Sequence, residues 1–241
     1  MGIVPKDIVL LHGFSGTHRA WDGVASRLED ERYRLLALDL PGHGRAADCP
    51  RPITFGGCVE HVLSSSPERF LLCGYSLGGR VALQVALSAP ERVARLVLVS
   101  SSAGIEDPVA RAQRRVADER LAEQLESAPL EGFIERWRAQ PLFAGEPPAV
   151  RELASADQRR NRPDALAAVL RGIGAGAMEP LWDRLSELSM PVTVLVGERD
   201  AKYRELGARM VELLPDAQLV LAAGGHGLVL ENPQAVAQAL G

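Results

Sequence analysis

The chain has 241 residues, 46% hydrophobic and 24% charged, a balance that is ordinary for a folded protein and too apolar for a disordered one. Its formal net charge is −4 and it has no run of basic residues, which argues against nucleic acid or an anionic membrane as the main partner.

The amino-terminal residues lack a basic segment followed by a long apolar stretch, so the sequence predicts no export signal. No later stretch approaches the roughly 18 apolar residues that a membrane span needs. Cys49, Cys58 and Cys73 are odd in number and lack the spacing of zinc ligands or of a disulfide framework. We therefore expect a cytoplasmic protein without a metal site, acting on a small molecule and not on a membrane or nucleic acid.

Short apolar runs bounded by turn-forming residues recur along the chain and predict β-strands. Most of them lack polar alternation, which is typical of strands buried on both faces of a parallel sheet. Helical patterns lie between them, notably at 77–88 and 203–214. The predicted fold class is α/β, with a mostly parallel central sheet, helices on both faces and ligands bound beyond the carboxyl ends of the strands. The runs are 8–11, 35–38, 70–73, 96–99, 192–196 and 218–222.

The strand pattern stops between residues 104 and 189, where the sequence becomes charged, helical and interrupted by prolines. We interpret this segment as a helical cap inserted into a single α/β domain. The predicted organisation is a first core part at 1–103, the cap at 104–189 and a second core part at 190–241. One cap helix is predicted to bury an apolar face formed by Val109, Ala112, Val116, Leu121 and Leu125.

The run 70–73 leads into Gly-Tyr-Ser-Leu-Gly-Gly at 74–79, which opens the predicted helix 77–88. A strand, a Gly-x-Ser-x-Gly turn and a helix form the context in which a serine projects above a sheet as a nucleophile. The helix amino end also favours developing negative charge at that point. Ser76 is therefore the candidate nucleophile, and the alternative is a helix-capping serine between glycines that serve packing.

A serine hydroxyl needs a histidine to take its proton and a carboxylate to orient that histidine, here in the chain order serine, acid, histidine. His226 follows the run 218–222 and is the histidine in the right order. Asp200 follows the run 192–196, with the neighbouring Glu198 as a rival. The backbone N–H groups of Phe14 and Leu77 are the expected oxyanion donors, whereas His12 and the loop 39–44 are expected to be structural.

Five motifs along the whole chain resemble those of the α/β-hydrolase superfamily and occur in its order. They are Leu-His-Gly-Phe at 11–14, Asp-Leu-Pro-Gly-His-Gly at 39–44, Gly-Tyr-Ser-Leu-Gly-Gly at 74–79, Gly-Glu-Arg-Asp at 197–200 and Gly-His with Glu-Asn-Pro within 225–233. The resemblance implies an α/β-hydrolase fold with the cap inserted after its fourth predicted strand.

A narrower resemblance is to the menaquinone-pathway family of 2-succinyl-6-hydroxy-2,4-cyclohexadiene-1-carboxylate synthases. It rests on Arg80, which closes Gly-Tyr-Ser-Leu-Gly-Gly-Arg, and on cap segments that lie at 103–107, 111–115, 133–137, 140–143, 166–172 and 178–182. That family eliminates pyruvate from a substrate with several carboxylates, and its serine–histidine pair abstracts a proton. Two departures are the apolar stretch 227–230 after His226 and the short segment before the first predicted strand.

The resemblance implies that arginines clamp the carboxylates, that aromatic residues line the pocket, and that no metal or organic cofactor is needed. The implied substrate-binding residues are Tyr75, Arg80, Arg114, Trp137 and Arg159. A slip of one position in the alignment would exchange Arg159 for Arg160. Arg114 has Asp118 four residues later, so it could instead decorate a solvated helix face. Arg80 and Arg159 could likewise be exposed, and the aromatic residues could serve packing.

Two rival functions remain open from the sequence. One is a carboxylic-ester hydrolase that uses the same three residues through an acyl-serine intermediate and a less cationic pocket. The other is a non-catalytic small-molecule receptor on the same fold, against which the intact serine, histidine and acid argue.

Overall fold

The computed structural model describes residues 7–28 and 33–241. Within them the chain forms a six-stranded sheet in the order β2-β1-β3-β4-β5-β6, with every pairing parallel. The strands are β1 (Asp7–Leu11), β2 (Arg34–Leu38), β3 (Phe70–Tyr75), β4 (Val93–Val99), β5 (Val192–Gly197) and β6 (Ala217–Ala222). Each predicted apolar run lies in one of these strands, which confirms the parallel sheet. Residues 1–6, on which the expected lack of an export signal rests, lie outside the described residues.

Helices cover both faces of the sheet, as predicted. The α-helices of the described residues, including those between β4 and β5, are α1 (Asp22–Ala25), α2 (Phe55–Ser65), α3 (Leu77–Ser88), α4 (Pro108–Ser127), α5 (Leu130–Arg138), α6 (Pro148–Gln158), α7 (Pro163–Ile173), α8 (Ala201–Leu213), α9 (Leu228–Glu231) and α10 (Pro233–Leu240). Helices α2, α3 and α8 pack on one face and α1, α9 and α10 on the other. Side chains alternate between the faces along a strand, so Val9 and Leu11 join the first cluster and Ile8 and Leu10 the second.

The segment between β4 and β5 is fully described and contains helices but no strand. We call residues 104–189 the insertion, keeping the predicted bounds. Helices α4 and α7 pack against each other, and the apolar cluster of the insertion is formed by Ala122, Leu125, Phe133, Ile134, Leu166, Ala167 and Leu170. Among the described residues, no helix is both long enough and apolar enough to cross a membrane.

The apolar face predicted for α4 is wrong over the first half of that helix. Val109 and Val116 are 63% and 53% exposed, and Ala112 is also exposed. Asp118 is buried instead, because its carboxylate accepts hydrogen bonds from Arg114 Nε and from the N–H of Gly176. The hydrogen bond from Gly176 to the buried Asp118, and not an apolar stripe, therefore sets the orientation of this part of α4.

Candidate active site

Ser76 sits on the turn between β3 and α3 in a backbone conformation that side chains rarely adopt, with φ +51° and ψ −108°. The turn is so tight that only glycine fits at positions 74 and 78, two residues before and two residues after Ser76. A Cβ on Gly74 would overlap the carbonyl oxygen of Gly78, and a Cβ on Gly78 would overlap that of Leu11. The sequence Gly-x-Ser-x-Gly therefore folds into the strained turn that lifts Ser76 above the carboxyl edge of the sheet.

The structure brings Ser76, His226 and Asp200 together from three separate loops. His226 Nδ1 lies 2.7 Å from Asp200 Oδ2, and His226 Nε2 lies 3.1 Å from Ser76 Oγ. Both His226 and Asp200 are buried. Glu198, the rival for the acid, is exposed. The arrangement is the one in which a serine proton can pass to an imidazole.

The hydrogen bonds fix which nitrogen of His226 can accept that proton. The carboxylate of Asp200 accepts from Nδ1, so the neutral ring presents the lone pair of Nε2 to the hydroxyl of Ser76. Three aromatic rings surround the imidazole, with centroid distances of 4.6 Å for Tyr203, 5.6 Å for Tyr75 and 6.0 Å for Phe143. These rings exclude water from the imidazole and hold its plane.

Phe14 and Leu77 lie just beyond the carboxyl ends of the neighbouring strands β1 and β3. Leu77 is the first residue of α3, directly after Ser76, and Phe14 follows β1 in the neighbouring loop. Within 7–28 and 33–241, neither N–H donates a hydrogen bond to the protein. Two free donors next to a serine oxygen can bind an anion that forms there.

His12 and His43 support the loops around this edge. His12 Nε2 accepts from the N–H of Leu40 at 3.0 Å, and His43 Nε2 accepts from the N–H of Ser15 at 3.2 Å. Burial lowers the pKa of His12, and burial together with the nearby His12 lowers the pKa of His43 to about 3. Both rings are therefore neutral acceptors at pH 7, which matches the structural part expected of His12.

Two cavities meet at Ser76, and Phe14, Trp137 and Leu142 also border both. The first has a volume of about 600 Å³ including its mouth and is bordered by Tyr75, Arg138, Phe143, Gln158, His226 and Leu230, among others. The second has a volume of about 1040 Å³ including its mouth and is bordered by Leu77, Arg80, Arg114, Gln140 and Tyr203, among others. Each is large enough for part of a small-molecule ligand.

Arg80 is a half-buried cation that borders the second cavity. Its Nη1 donates to the carbonyl oxygen of Ile173 at 3.3 Å, and no described carboxylate lies within 4.0 Å of its guanidinium. Burial lowers the pKa of Arg80 to about 10, so the group remains charged at pH 7. Arg114 borders the same cavity, with its Nε 2.8 Å from Asp118 Oδ1. The second cavity therefore presents guanidinium groups to a ligand near Ser76.

Arg159 does not reach either cavity, contrary to the role that the resemblance implied for it. It is exposed at the end of α6, because the buried residues of that helix end are Asp157 and Gln158, which face the first cavity. Arg160 is also exposed, and its Nε lies 3.8 Å from Asp157 Oδ1. The other implied binding residues, Tyr75, Arg80, Arg114 and Trp137, all border a cavity.

Two side chains at the site were not singled out from the sequence. Tyr203 lies in the first turn of α8, three residues after Asp200, and this proximity to the predicted acid could have revealed it. Arg138 is buried, is ion-paired with Glu146 and stacks over the ring of Phe143, with its guanidinium carbon 3.9 Å from the ring centre. No sequence signal separates it from the many exposed arginines of the insertion.

Comparisons with known proteins identify the family to which the chain belongs and its relatives. A family model described as the alpha/beta hydrolase family matches residues 8–239. A 2-succinyl-6-hydroxy-2,4-cyclohexadiene-1-carboxylate synthase from Salmonella newport (strain SL254) is 34% identical over 240 residues, covering 97% of this chain and 91% of that protein. The enzyme of the same name from Salmonella agona (strain SL483) is 33% identical over the same shares of both chains.

Solved structures give the same result. MenH from S. aureus superposes with a TM-score of 0.90 at 28% identity, over 99% of this chain and 92% of that one. A thermophilic esterase from Thermogutta terrifontis, in a malate-bound form, superposes with a TM-score of 0.80 at 27% identity, over 98% and 88% of the two chains. The chain is thus similar to proteins that share one fold but differ in the reaction they catalyse.

Proposed function

The chain belongs to the alpha/beta hydrolase family, and from that premise we propose that it is a 2-succinyl-6-hydroxy-2,4-cyclohexadiene-1-carboxylate synthase. In this proposal it eliminates pyruvate from a polycarboxylate precursor of menaquinone. The proposal is supported by relatives of that name along nearly the whole chain and by the similarity to MenH from S. aureus.

The observation that carries the proposal is the guanidinium of Arg80. A desolvated guanidinium that no carboxylate neutralises is costly, and a carboxylate of the ligand would offset that cost. Arg114 supplies a second guanidinium in the same cavity, and its Nε is already held by Asp118. Planar guanidinium groups bind carboxylates through paired hydrogen bonds. A cavity with two of them suits a substrate that carries several carboxylates.

We assign proton abstraction to Ser76 and His226. The hydroxyl proton of Ser76 passes to His226 Nε2, and the serine oxygen takes a proton from a carbon of the substrate. The electron pair left on that carbon forms a C=C bond while the C–O bond to the enolpyruvyl group breaks. The departing pyruvate enolate takes the proton held on His226 Nε2 and becomes pyruvate, which restores the neutral imidazole. Asp200 stabilises the charged imidazole during this step.

The remaining assigned residues bind and orient. The N–H groups of Phe14 and Leu77 would stabilise the oxyanion that forms during elimination. Stabilisation of this kind is usually the largest single contribution to the rate enhancement of an enzyme. Tyr75 and Trp137 would line the space around the reacting carbon. The proposed step uses only groups of this chain and requires no metal or organic cofactor.

The decisive experiment compares two reactions of the purified protein. The enolpyruvyl intermediate of the menaquinone pathway is supplied and pyruvate release is followed, and a panel of neutral p-nitrophenyl esters is hydrolysed in parallel. We expect kcat/KM for pyruvate release to fall about 100-fold in Arg80→Ala and in Arg114→Ala, because each loses a charged hydrogen-bonding partner. Hydrolysis of a neutral ester should change by less than about threefold, since it does not use those charges.

Arg159→Ala is the matched control, because it removes an exposed guanidinium from the insertion without touching a cavity. It should leave both reactions unchanged. Equal losses on both substrates in the Arg80 and Arg114 variants would reject a carboxylate clamp, and no pyruvate release by the parent protein would reject the synthase assignment.

A carboxylic-ester hydrolase is the second candidate. It is favoured by the similarity to the Thermogutta terrifontis esterase and by the apolar residues Leu142, Phe143, Val229 and Leu230 around the first cavity. In that function Ser76 would attack the ester carbonyl and form an acyl-serine intermediate. A burst of p-nitrophenol equal to the enzyme concentration, with no pyruvate release, would identify this alternative.

A further inference from the structure

The loop after β1, residues 13–17, carries the N–H of Phe14 in a strained conformation. Ser15, the next residue, has φ +60°, in the left-handed region that favours glycine. Within the loop only one backbone hydrogen bond is described, from the N–H of Gly16 to the carbonyl oxygen of Gly13 at 3.1 Å. A strained loop with so little internal support must be held from outside.

Much of that outside support comes from the insertion, about 140 residues away along the chain. The carboxylate of Asp157 accepts from the N–H of Thr17 at 2.8 Å and also from its hydroxyl. Gln158 Nε2 donates to Ser15 Oγ at 2.7 Å, and Asn161 Nδ2 donates to the carbonyl oxygen of Ser15 at 2.8 Å. All five residues are buried, so water does not compete for these bonds.

Asn161 also joins this loop to the loop after β2. Its Oδ1 accepts from the N–H of Gly44 at 3.0 Å while its Nδ2 donates to Ser15. On the core side, His43 accepts from the N–H of Ser15. The two peptide groups that flank Ser15 are therefore both held, the one shared with Phe14 by a histidine of the core and the next one by an asparagine of the insertion.

From this network we infer that Asp157, Gln158 and Asn161 are positioning residues that hold the Phe14 N–H toward the oxygen at Ser76. The oxyanion site is then complete only when the insertion is docked on the core. The inference rests on the roles proposed above for Phe14 and Ser76. It applies equally to elimination and to ester hydrolysis, because both need donors for a developing oxyanion.

The matched pair Thr17→Val and Thr17→Ser tests the hydroxyl of Thr17, which donates to Asp157 and also accepts from the N–H of Arg19 at 3.2 Å. Valine keeps the shape of threonine and loses the hydroxyl that donates to Asp157, whereas serine keeps the hydroxyl. We expect kcat to fall about tenfold in Thr17→Val with KM changed by less than threefold, because a donor displaced by a fraction of an ångström loses transition-state stabilisation selectively. Thr17→Ser should restore kcat to within about twofold of the parent.

Asn161→Leu removes the bridge between the two loops and should lower kcat about 100-fold, toward the loss of a whole oxyanion donor. Trp182→Phe is the control for stability. It breaks a hydrogen bond from Trp182 to the carbonyl oxygen of Gly104 in the same insertion, and neither cavity is bordered by Trp182. This control should lower the thermal midpoint and leave kcat unchanged.

The direct measurement uses an aryl trifluoromethyl ketone, which a serine converts to a hemiketal whose oxyanion occupies the site. Fluorine NMR of the adduct gives its affinity without any turnover. We expect about tenfold weaker adducts in Thr17→Val and about 100-fold weaker adducts in Asn161→Leu, with parent affinity in Thr17→Ser and Trp182→Phe.

Adducts of parent affinity in Thr17→Val and Asn161→Leu would overturn the inference, as would a loss in Thr17→Ser equal to that in Thr17→Val. If the parent forms no adduct, Ser76 lacks a working oxyanion site and the inference fails outright. A parent that forms the adduct but releases no pyruvate would instead remove the synthase assignment and leave the positioning intact.

Discussion

The central sheet and the insertion differ in the interactions that stabilise each of them. The strands bury apolar side chains on both faces, so the sheet is stabilised by non-directional packing. The insertion buries charged and amide side chains, namely Asp118, Arg138, Glu146, Asp157, Gln158 and Asn161. Such groups are tolerated in the interior only with partners in defined geometry. Hydrogen bonds from Asp157, Gln158 and Asn161 therefore add directional contacts with the core to the apolar packing of insertion residues such as Val169 and Ile173 against the first cluster.

This difference separates two tasks at the site. The sheet edge positions Ser76, Asp200 and His226, which could serve any reaction of an α/β hydrolase. The proposed carboxylate clamp spans the boundary, because Arg80 lies on core helix α3 and Arg114 on insertion helix α4. Changes in the core should then affect every reaction, whereas changes in the insertion should affect selected substrates or the docking of the insertion.

The largest expected effect comes from the core. Ser76→Ala should lower both pyruvate release and ester hydrolysis at least about 1,000-fold, because the proton-transferring oxygen is gone in both. The residue is half-buried on a turn at the sheet edge and is not part of the packed core, so circular dichroism and the thermal midpoint should match those of the parent. Retention of more than roughly 1% of the parent activity would contradict the role assigned to Ser76.

A somewhat smaller effect is expected from the buried ion pair of the insertion. Glu146→Ala leaves the guanidinium of Arg138 buried without its carboxylate and should lower the free energy of unfolding by about 3–5 kcal/mol. The double variant Arg138→Met with Glu146→Leu removes both charges and should recover most of that loss. Urea denaturation of the three proteins measures both quantities.

A core substitution provides the contrast for this experiment. Leu98→Ala creates a cavity beneath the sheet and should lower the free energy of unfolding by about 2–5 kcal/mol. Because this loss comes from lost apolar packing, no second substitution that removes a charge should recover it. If the double variant of the insertion is no more stable than Glu146→Ala, the loss in Glu146→Ala does not come from an unpaired buried guanidinium, and the distinction between the two regions loses its basis.

The sequence predicted the sheet and the proximity of Ser76, Asp200 and His226 because their signals are local. Apolar runs identify strands that are buried on both faces, and the glycines around Ser76 are required by close backbone contacts that can be read from the motif itself. Asp200 and His226 follow predicted strands, so the shared edge of a parallel sheet brings them together. The resemblance to the α/β hydrolases is confirmed by the family match over residues 8–239.

The insertion was less predictable because its orientation depends on partners far away in the sequence. Arg159 and Gln158 are adjacent, and only the hydrogen bond from Gln158 to Ser15 determines which of them faces inward. The face of α4 was assigned by apolar periodicity, whereas the buried Asp118 sets it. Arg138 is buried because Glu146 lies opposite, and no spacing rule links residues across that turn.

The smallest expected effect concerns pH and the core loops on which the insertion docks. Burial holds the pKa of His43 near 3, below the value of 6.5 expected in the unfolded chain. The unfolded state therefore binds more protons below pH 6.5, so stability is full above that pH and is lost as the pH falls toward 3. At pH 5 the loss from His43 amounts to about 2 kcal/mol relative to pH 7. His12, whose pKa burial also lowers, adds to this loss of stability.

His43→Gln keeps an acceptor for the N–H of Ser15 but does not titrate, so its unfolding free energy should fall less between pH 7 and pH 5 than that of the parent. Equal slopes in the two proteins would show that acid acts elsewhere, and that the core loops are no more sensitive to protons than the insertion.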